Sequence, residues 1–131
     1  NDHDAAAAAA TAADESYDVV RKIVAYNFHE QVTEYPYDVV IMLFAPWCGH
    51  CKRFSPEFLN LAKEMRKEKR LIRFTKMDAT KNDVPPPYQA ERVPSIYLSK
   101  HTDRSNPVLY QGGLQAADLR SFLDKMGAGQ Q

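Results

Sequence analysis

The run DVVIMLFA, Asp38 to Ala45, is nearly unbroken apolar sequence. A strand with one wet face alternates polar and apolar residues. A run without that alternation predicts a central strand covered on both faces, as parallel sheets require. The next residues are of a different kind. Pro46 and Trp47 turn the chain, and Cys48-Gly49-His50-Cys51 follows, holding both cysteines of a 131-residue sequence.

Around this strand the pattern continues. Val19–Ala25 is β-rich and reads as a strand. Asn27 and Glu30 have capping-box spacing and predict a short helix ending near Tyr35–Pro36. From Cys48 to about Lys69 runs a helical pattern with Phe54, Phe58, Leu61 and Met65 on one face, and Pro56 should kink it. Leu71–Asp78, Ser95–Ser99 and Val108–Gln111 read as further strands, with a proline-rich break at Asp83–Tyr88. Gly112–Gly113 turns the chain into a last amphipathic helix with Leu119, Phe122, Leu123 and Met126 inward. The order β-α-β-α-β, then β-β-α, predicts an α/β fold. Its first part should supply parallel strands flanked by helices, its second an antiparallel pair backed by a helix. One domain is expected over residues 17–127. The Ala-rich stretch 1–16 reads as a flexible tail or linker, with a docking helix as the alternative, and 128–131 as a flexible C-terminal tail.

Seventeen basic and seventeen acidic side chains leave no net pull toward nucleic acid or anionic membrane. No apolar run approaches the roughly 20 residues that span a bilayer. The start NDHDAAAAAATAADES lacks the basic segment and apolar core of a signal peptide. The end GAGQQ is no retention signal. With both cysteines in one motif, no further disulfide staples the fold.

What can Cys-Gly-His-Cys do? Structural zinc wants four ligands, and His3, His29 and His101 lack ligand spacing to the pair. Haem attachment needs a histidine after the second cysteine, where Lys52 stands. An iron–sulfur cluster would need thiolates from a second chain. Inert core thiols fit poorly with a strand-to-helix corner, where the first sulfur is expected to be exposed. Redox chemistry remains. At a helix N-terminus, outward N–H groups and the dipole favour thiolate over thiol. Gly49 should permit the tight turn, and His50 can add a hydrogen bond or a positive charge. If Cys48 fell from about 8.5 to about 5, the thiolate fraction at pH 7 would rise about 30-fold. Intrinsic nucleophilicity would fall about 25- to 55-fold, so attack gains almost nothing. The dithiol form, however, would be stabilised by about 4.8 kcal/mol, on the order of 100 mV toward an oxidising potential. Such a pair is suited to donating or shuffling disulfides.

FAPWCGHCK, the KMDATKNDVP run (Lys76 to Pro85), VPSIYLS (Val93 to Ser99) and YQGG (Tyr110 to Gly113) together resemble the protein disulfide isomerase family. They most resemble the last catalytic domain of its multidomain members. The resemblance implies a thioredoxin fold with a central mixed sheet, spanning roughly residues 19–126. It implies an enzyme of the endoplasmic reticulum lumen that forms, breaks and rearranges disulfides in client proteins. It implies no metal or organic cofactor, with glutathione or an oxidase recharging the pair, and a chain that is a piece of a larger protein. Carried over by position, Cys48 is the nucleophile, Cys51 the resolving thiol and His50 the stabiliser of the Cys48 thiolate. Pro94 is a cis-proline facing the disulfide, and the Val93 backbone pairs with an extended client. Trp47 and Pro46 shape the client-binding surface.

Two positions depart from the family. It usually keeps a buried Glu that relays protons for the resolving cysteine; this chain has Met42, although Lys76, that Glu's usual partner, is present. It usually has an Arg after the Gly-Gly pair; this chain has Leu114. Either a water performs the relay, or Cys51 deprotonates slowly and mixed disulfides persist. The leading expectation is a competent but slow exchanger. A client-trapping module with little turnover is the second. A cytosolic thioredoxin-like reductase is the third, disfavoured by His50.

Overall fold

The computed structural model describes residues 19–130. The expected tail 1–16 lies outside the described residues. Strands β1 (Val20–Ile23), β2 (Asp38–Phe44), β3 (Ile72–Asp78), β4 (Ser95–Ser99) and β5 (Val108–Leu109) form one sheet in the order β1-β3-β2-β4-β5. The first three are parallel; β4 runs antiparallel to β2, and β5 antiparallel to β4. Helix α1 (Gly49–Lys67) is the crossover from β2 to β3, the kind of connection parallel neighbours need. Helix α2 (Ala116–Lys125) ends the order and packs against α1.

The alternation of a strand explains why β2 is apolar throughout. Val40 and Met42 enter one core, where Phe54, Phe58, Leu61 and Met65 of α1 meet Leu119 and Leu123 of α2. Val39, Ile41 and Leu43 enter a second core closed by Phe28, Val32, Tyr88 and Tyr97. Each large apolar side chain so buried contributes about 1.5–3 kcal/mol. Phe122 and Met126, expected inward, are half-buried at the margin of the first core. Pro56 lies inside α1, which runs on to Lys67.

Two expectations need correction. The helix predicted from Asn27 is instead a 3-10 turn at Ala25–Asn27 followed by a π-helical turn at His29–Thr33. Asn27 reaches backward, its Oδ1 accepting from the Val24 N–H at 2.9 Å, so it does not cap forward. Residues 128–130, expected as part of a flexible tail, are also packed in place. Ala128 is buried, the Leu71 N–H donates to the Gly129 carbonyl at 2.9 Å, and Arg70 Nη2 donates to the Ala128 carbonyl at 2.8 Å. Gly127 and Gly129 have φ of 67° and 70°, the left-handed backbone that lets the chain fold back here.

Asp38 fastens this end to the start of β2. Its Oδ2 accepts from the Gly129 N–H at 2.9 Å, and its Oδ1 from the His101 N–H at 2.9 Å, with the His101 Nδ1 also at 2.9 Å. Burial by itself would raise the Asp38 carboxyl. The hydrogen bonds from Gly129 and His101, with the charge of Lys100, outweigh it and hold the group below the usual carboxylate range. A depressed folded value contributes stability above the unfolded value of about 3.9, and that stability is lost as pH falls through the folded value. Asp38→Ala should therefore cost about 2–3 kcal/mol in urea unfolding at pH 7, because buried donors lose their acceptor. The gap from the parent should narrow below about pH 4.

Candidate active site at the start of helix α1

After β2 the chain turns through Ala45, Pro46 and Trp47, and the Cys48 N–H donates to the Ala45 carbonyl at 3.1 Å. Cys48 is the N-cap of α1, with extended backbone at φ −81° and ψ 117°. N-cap side chains accept from otherwise orphaned N–H groups of the first turn. Here the acceptor is sulfur: the Cys51 N–H donates to Cys48 Sγ at 3.2 Å. On its other side the Cys48 thiol donates to the Val93 carbonyl at 3.5 Å. The Val93–Pro94 peptide is cis, as is Pro86–Pro87. Both thiols are free.

Cys48, expected to be exposed, is 5% exposed, and Cys51 4%. Phe44, Ala45 and Val93 close around the pair and account for the difference. The two sulfurs are nonetheless unlike. Burial on its own would raise the Cys48 thiol. Hydrogen bonds from the Cys51 thiol and from the Cys51 and His50 N–H groups, with the charge of Arg53, outweigh it and bring Cys48 below the ordinary thiol range. Cys51 is pushed up to about 11, by burial first and then by its hydrogen bond and charge repulsion with Cys48.

The other candidate residues sort by place. Trp47 is 73% exposed beside Cys48, and Pro46 is exposed next to it. His50 reaches Cys48 through its backbone N–H, while its imidazole Nδ1 lies 2.9 Å from Arg53 Nη2. Gly49 has no left-handed φ, and a methyl group there would meet only Arg53 Nη1, at 3.5 Å. The turn therefore does not demand glycine, contrary to expectation. Met42 and Lys76 are register partners on β2 and β3. Both line a cavity of about 280 Å³ that also touches Cys51, Pro46 and Ser55. Burial, and secondarily the charge of Lys22, lowers the Lys76 ammonium below the usual lysine range. A larger cavity of about 640 Å³, lined by Phe28, Pro87 and Arg104, touches none of these residues. Among the described residues no cluster of three His, Cys, Asp or Glu side chains could hold a metal ion, and no helix is long and apolar enough to cross a membrane.

Sequence reasoning missed two participants, the Val93 carbonyl as acceptor of the Cys48 thiol and Arg53. The i, i+3 spacing of His50 and Arg53 on a helix was the available signal for the second. The asymmetry of the pair has a direct readout. Iodoacetamide at pH 6–7 should modify one thiol of the reduced protein, mapped to Cys48, while Cys51 stays unmodified below about pH 9. In a Cys48→Ser variant Cys51 should react at lower pH than in the parent, because part of its rise comes from Cys48.

The Thioredoxin family model matches residues 19–125. Protein disulfide-isomerase A3 of Gallus gallus is 40% identical over 106 residues, 81% of this chain and 21% of that protein. Protein disulfide-isomerase A4 of Homo sapiens is 43% identical over 108 residues, 81% and 17% respectively. The chain spans about a fifth of the length of these relatives. Among solved structures, the first thioredoxin domain of mouse protein disulfide-isomerase A4 matches with a TM-score of 0.71 at 25% identity, covering 83% of this chain and 76% of that one. The zinc-bound form of human ERp44 matches with a TM-score of 0.72 at 15% identity, covering 83% and 32%, a likeness of fold alone. Because a first domain matches so well, the likeness is not particular to last domains. The chain belongs to the thioredoxin family, as a thioredoxin domain of the protein disulfide isomerase kind whose active-site pair is Cys48 and Cys51.

Proposed function

We propose that this domain exchanges disulfides with client proteins, working in the endoplasmic reticulum lumen as one catalytic domain of a larger protein. The observation that carries the reading is the opposite displacement of the two thiols, Cys48 down and Cys51 up. It divides the labour. The Cys48 thiolate attacks one sulfur of a client disulfide; a Cys48–client bond forms, the client S–S bond breaks, and the other client sulfur leaves as thiolate. Cys51 then loses its proton and attacks Cys48 Sγ, releasing the client thiolate and leaving a Cys48–Cys51 disulfide. Run backward, the same steps donate a disulfide. If the client's own thiol attacks first, its pairing is rearranged. Glutathione or an oxidase restores the starting state.

Exposed Trp47 and Pro46, with the Val93–Pro94 loop opposite, form the surface for an extended client segment. Within this reading the second step is slow. The Cys51 proton must leave a site beside a cavity where Met42 offers no carboxylate and the other ionisable side chains are Lys52 and Lys76. Leu114, on the loop before α2, supplies no charge to help.

Met42 also favours a second reading, a client-trapping module with little turnover. Reactivation of a scrambled disulfide protein in glutathione buffer separates the two. Sustained turnover supports the exchanger; a stall after about one equivalent, with client held on Cys48, supports the trap. Met42→Glu should speed release of a preformed mixed disulfide by about tenfold or more, the scale of general acid–base assistance. An unchanged release rate would remove slow proton loss as the cause.

A further inference from the structure

On α1, residues three apart share a face, and this brings Arg53 over His50. Arg53 Nη2 lies 2.9 Å from His50 Nδ1. A guanidinium can only donate, so Nδ1 is the acceptor and the ring proton sits on Nε2 of a neutral imidazole. The other terminal nitrogen, Nη1, lies 3.5 Å from where a Cβ on Gly49 would stand. The side chain therefore folds back along the helix toward its first turn. Among the described residues no carboxylate pairs with Arg53.

The remaining charged and titratable groups near Cys48 are few. On its own helix they are Cys51, His50, Lys52 and Arg53. The loop packed against it supplies the Val93 carbonyl, preceded by the exposed Glu91 and Arg92. The charge of Arg53 helps to lower the Cys48 thiol.

We propose that Arg53 is a positioning residue for disulfide exchange: it clamps the His50 ring through Nδ1 and lays a permanent positive charge over the first turn of α1, beside Cys48. The sequence offers His50 for that support, by a hydrogen bond or a positive charge; the geometry assigns the charge to a guanidinium. The difference has a functional edge. A guanidinium keeps its charge at every physiological pH, so its support of the thiolate does not fade as pH rises through the histidine range. The inference rests on Cys48 being the exchanging thiol.

The test is the pH dependence of iodoacetamide reaction at Cys48, in low salt, for the reduced full chain and for Arg53→Gln, Arg53→Lys and His50→Ala. Arg53 is exposed, so these changes leave the core alone. Arg53→Gln should displace the profile upward, slowing reaction at pH 6 by about 3- to 10-fold, as loss of a neighbouring charge does. Arg53→Lys should recover part of that loss, and 1 M salt should shrink the difference because it cuts the Debye length to about 3 Å. Two-dimensional NMR of the ring nitrogens at pH 8 should show the Nε2–H tautomer of His50 in the parent and a mixture in Arg53→Gln. Coincident profiles for the parent and Arg53→Gln would overturn the proposal. A His50→Ala displacement as large as that of Arg53→Gln would return the charge to the imidazole and overturn it too. A parent whose Cys48 does not react at pH 6–7 would instead defeat the exchange reading itself, and this inference with it.

Discussion

Strand β2 is the constraint from which the rest follows. It has partners on both edges, β3 on one side and β4 on the other, and packed cores on both faces. Such a strand cannot be shifted by one residue without turning Met42 and Val40 into the wrong core. Its register is thereby pinned, and so is the place where it ends. Phe44 delivers the chain to the corner at Ala45, and the dithiol starts there. The precision of the site is inherited from a strand that touches almost no solvent.

Much of this was legible because it depends on periodicity and composition. The unbroken apolar run from Asp38 implied two covered faces, and the spacing of Phe54, Phe58, Leu61 and Met65 implied the face α1 buries. Failures came where one side chain chooses between two nearby partners. Asn27 could cap forward or bond backward, and local sequence does not say which. The GAGQQ end has the composition of a tail, but its glycines supply the left-handed turns that bring Gly129 to Asp38, some ninety positions away in the chain. At the site, the type and spacing of Cys48 and Cys51 could be read. The burial of their sulfurs could not, because part of the cover comes from Val93, a residue far along the chain.

The site separates two jobs that look alike on paper. Cys48 has the backbone N–H groups of His50 and Cys51 and lies just under the surface. Cys51 lies one helical turn on. Burial penalises charge on both; at Cys48 hydrogen bonds and the charge of Arg53 outweigh it, while at Cys51 burial and the neighbouring Cys48 outweigh the backbone hydrogen bonds. A single helix start thus displaces two identical thiols in opposite directions. A cavity beside Cys51 is lined by neighbours from two strands. A thioether from Met42 and an ammonium from Lys76 stand side by side there, in adjoining strands, with no carboxylate between them.

Trp47 is the chain's single tryptophan, and it stands mostly in solvent beside Cys48. The indole is therefore placed where a change in the oxidation state of the sulfurs alters its surroundings. No other indole dilutes that signal. The domain carries its own optical gauge, and the redox condition of its sulfurs can be followed through intrinsic emission without attaching a dye.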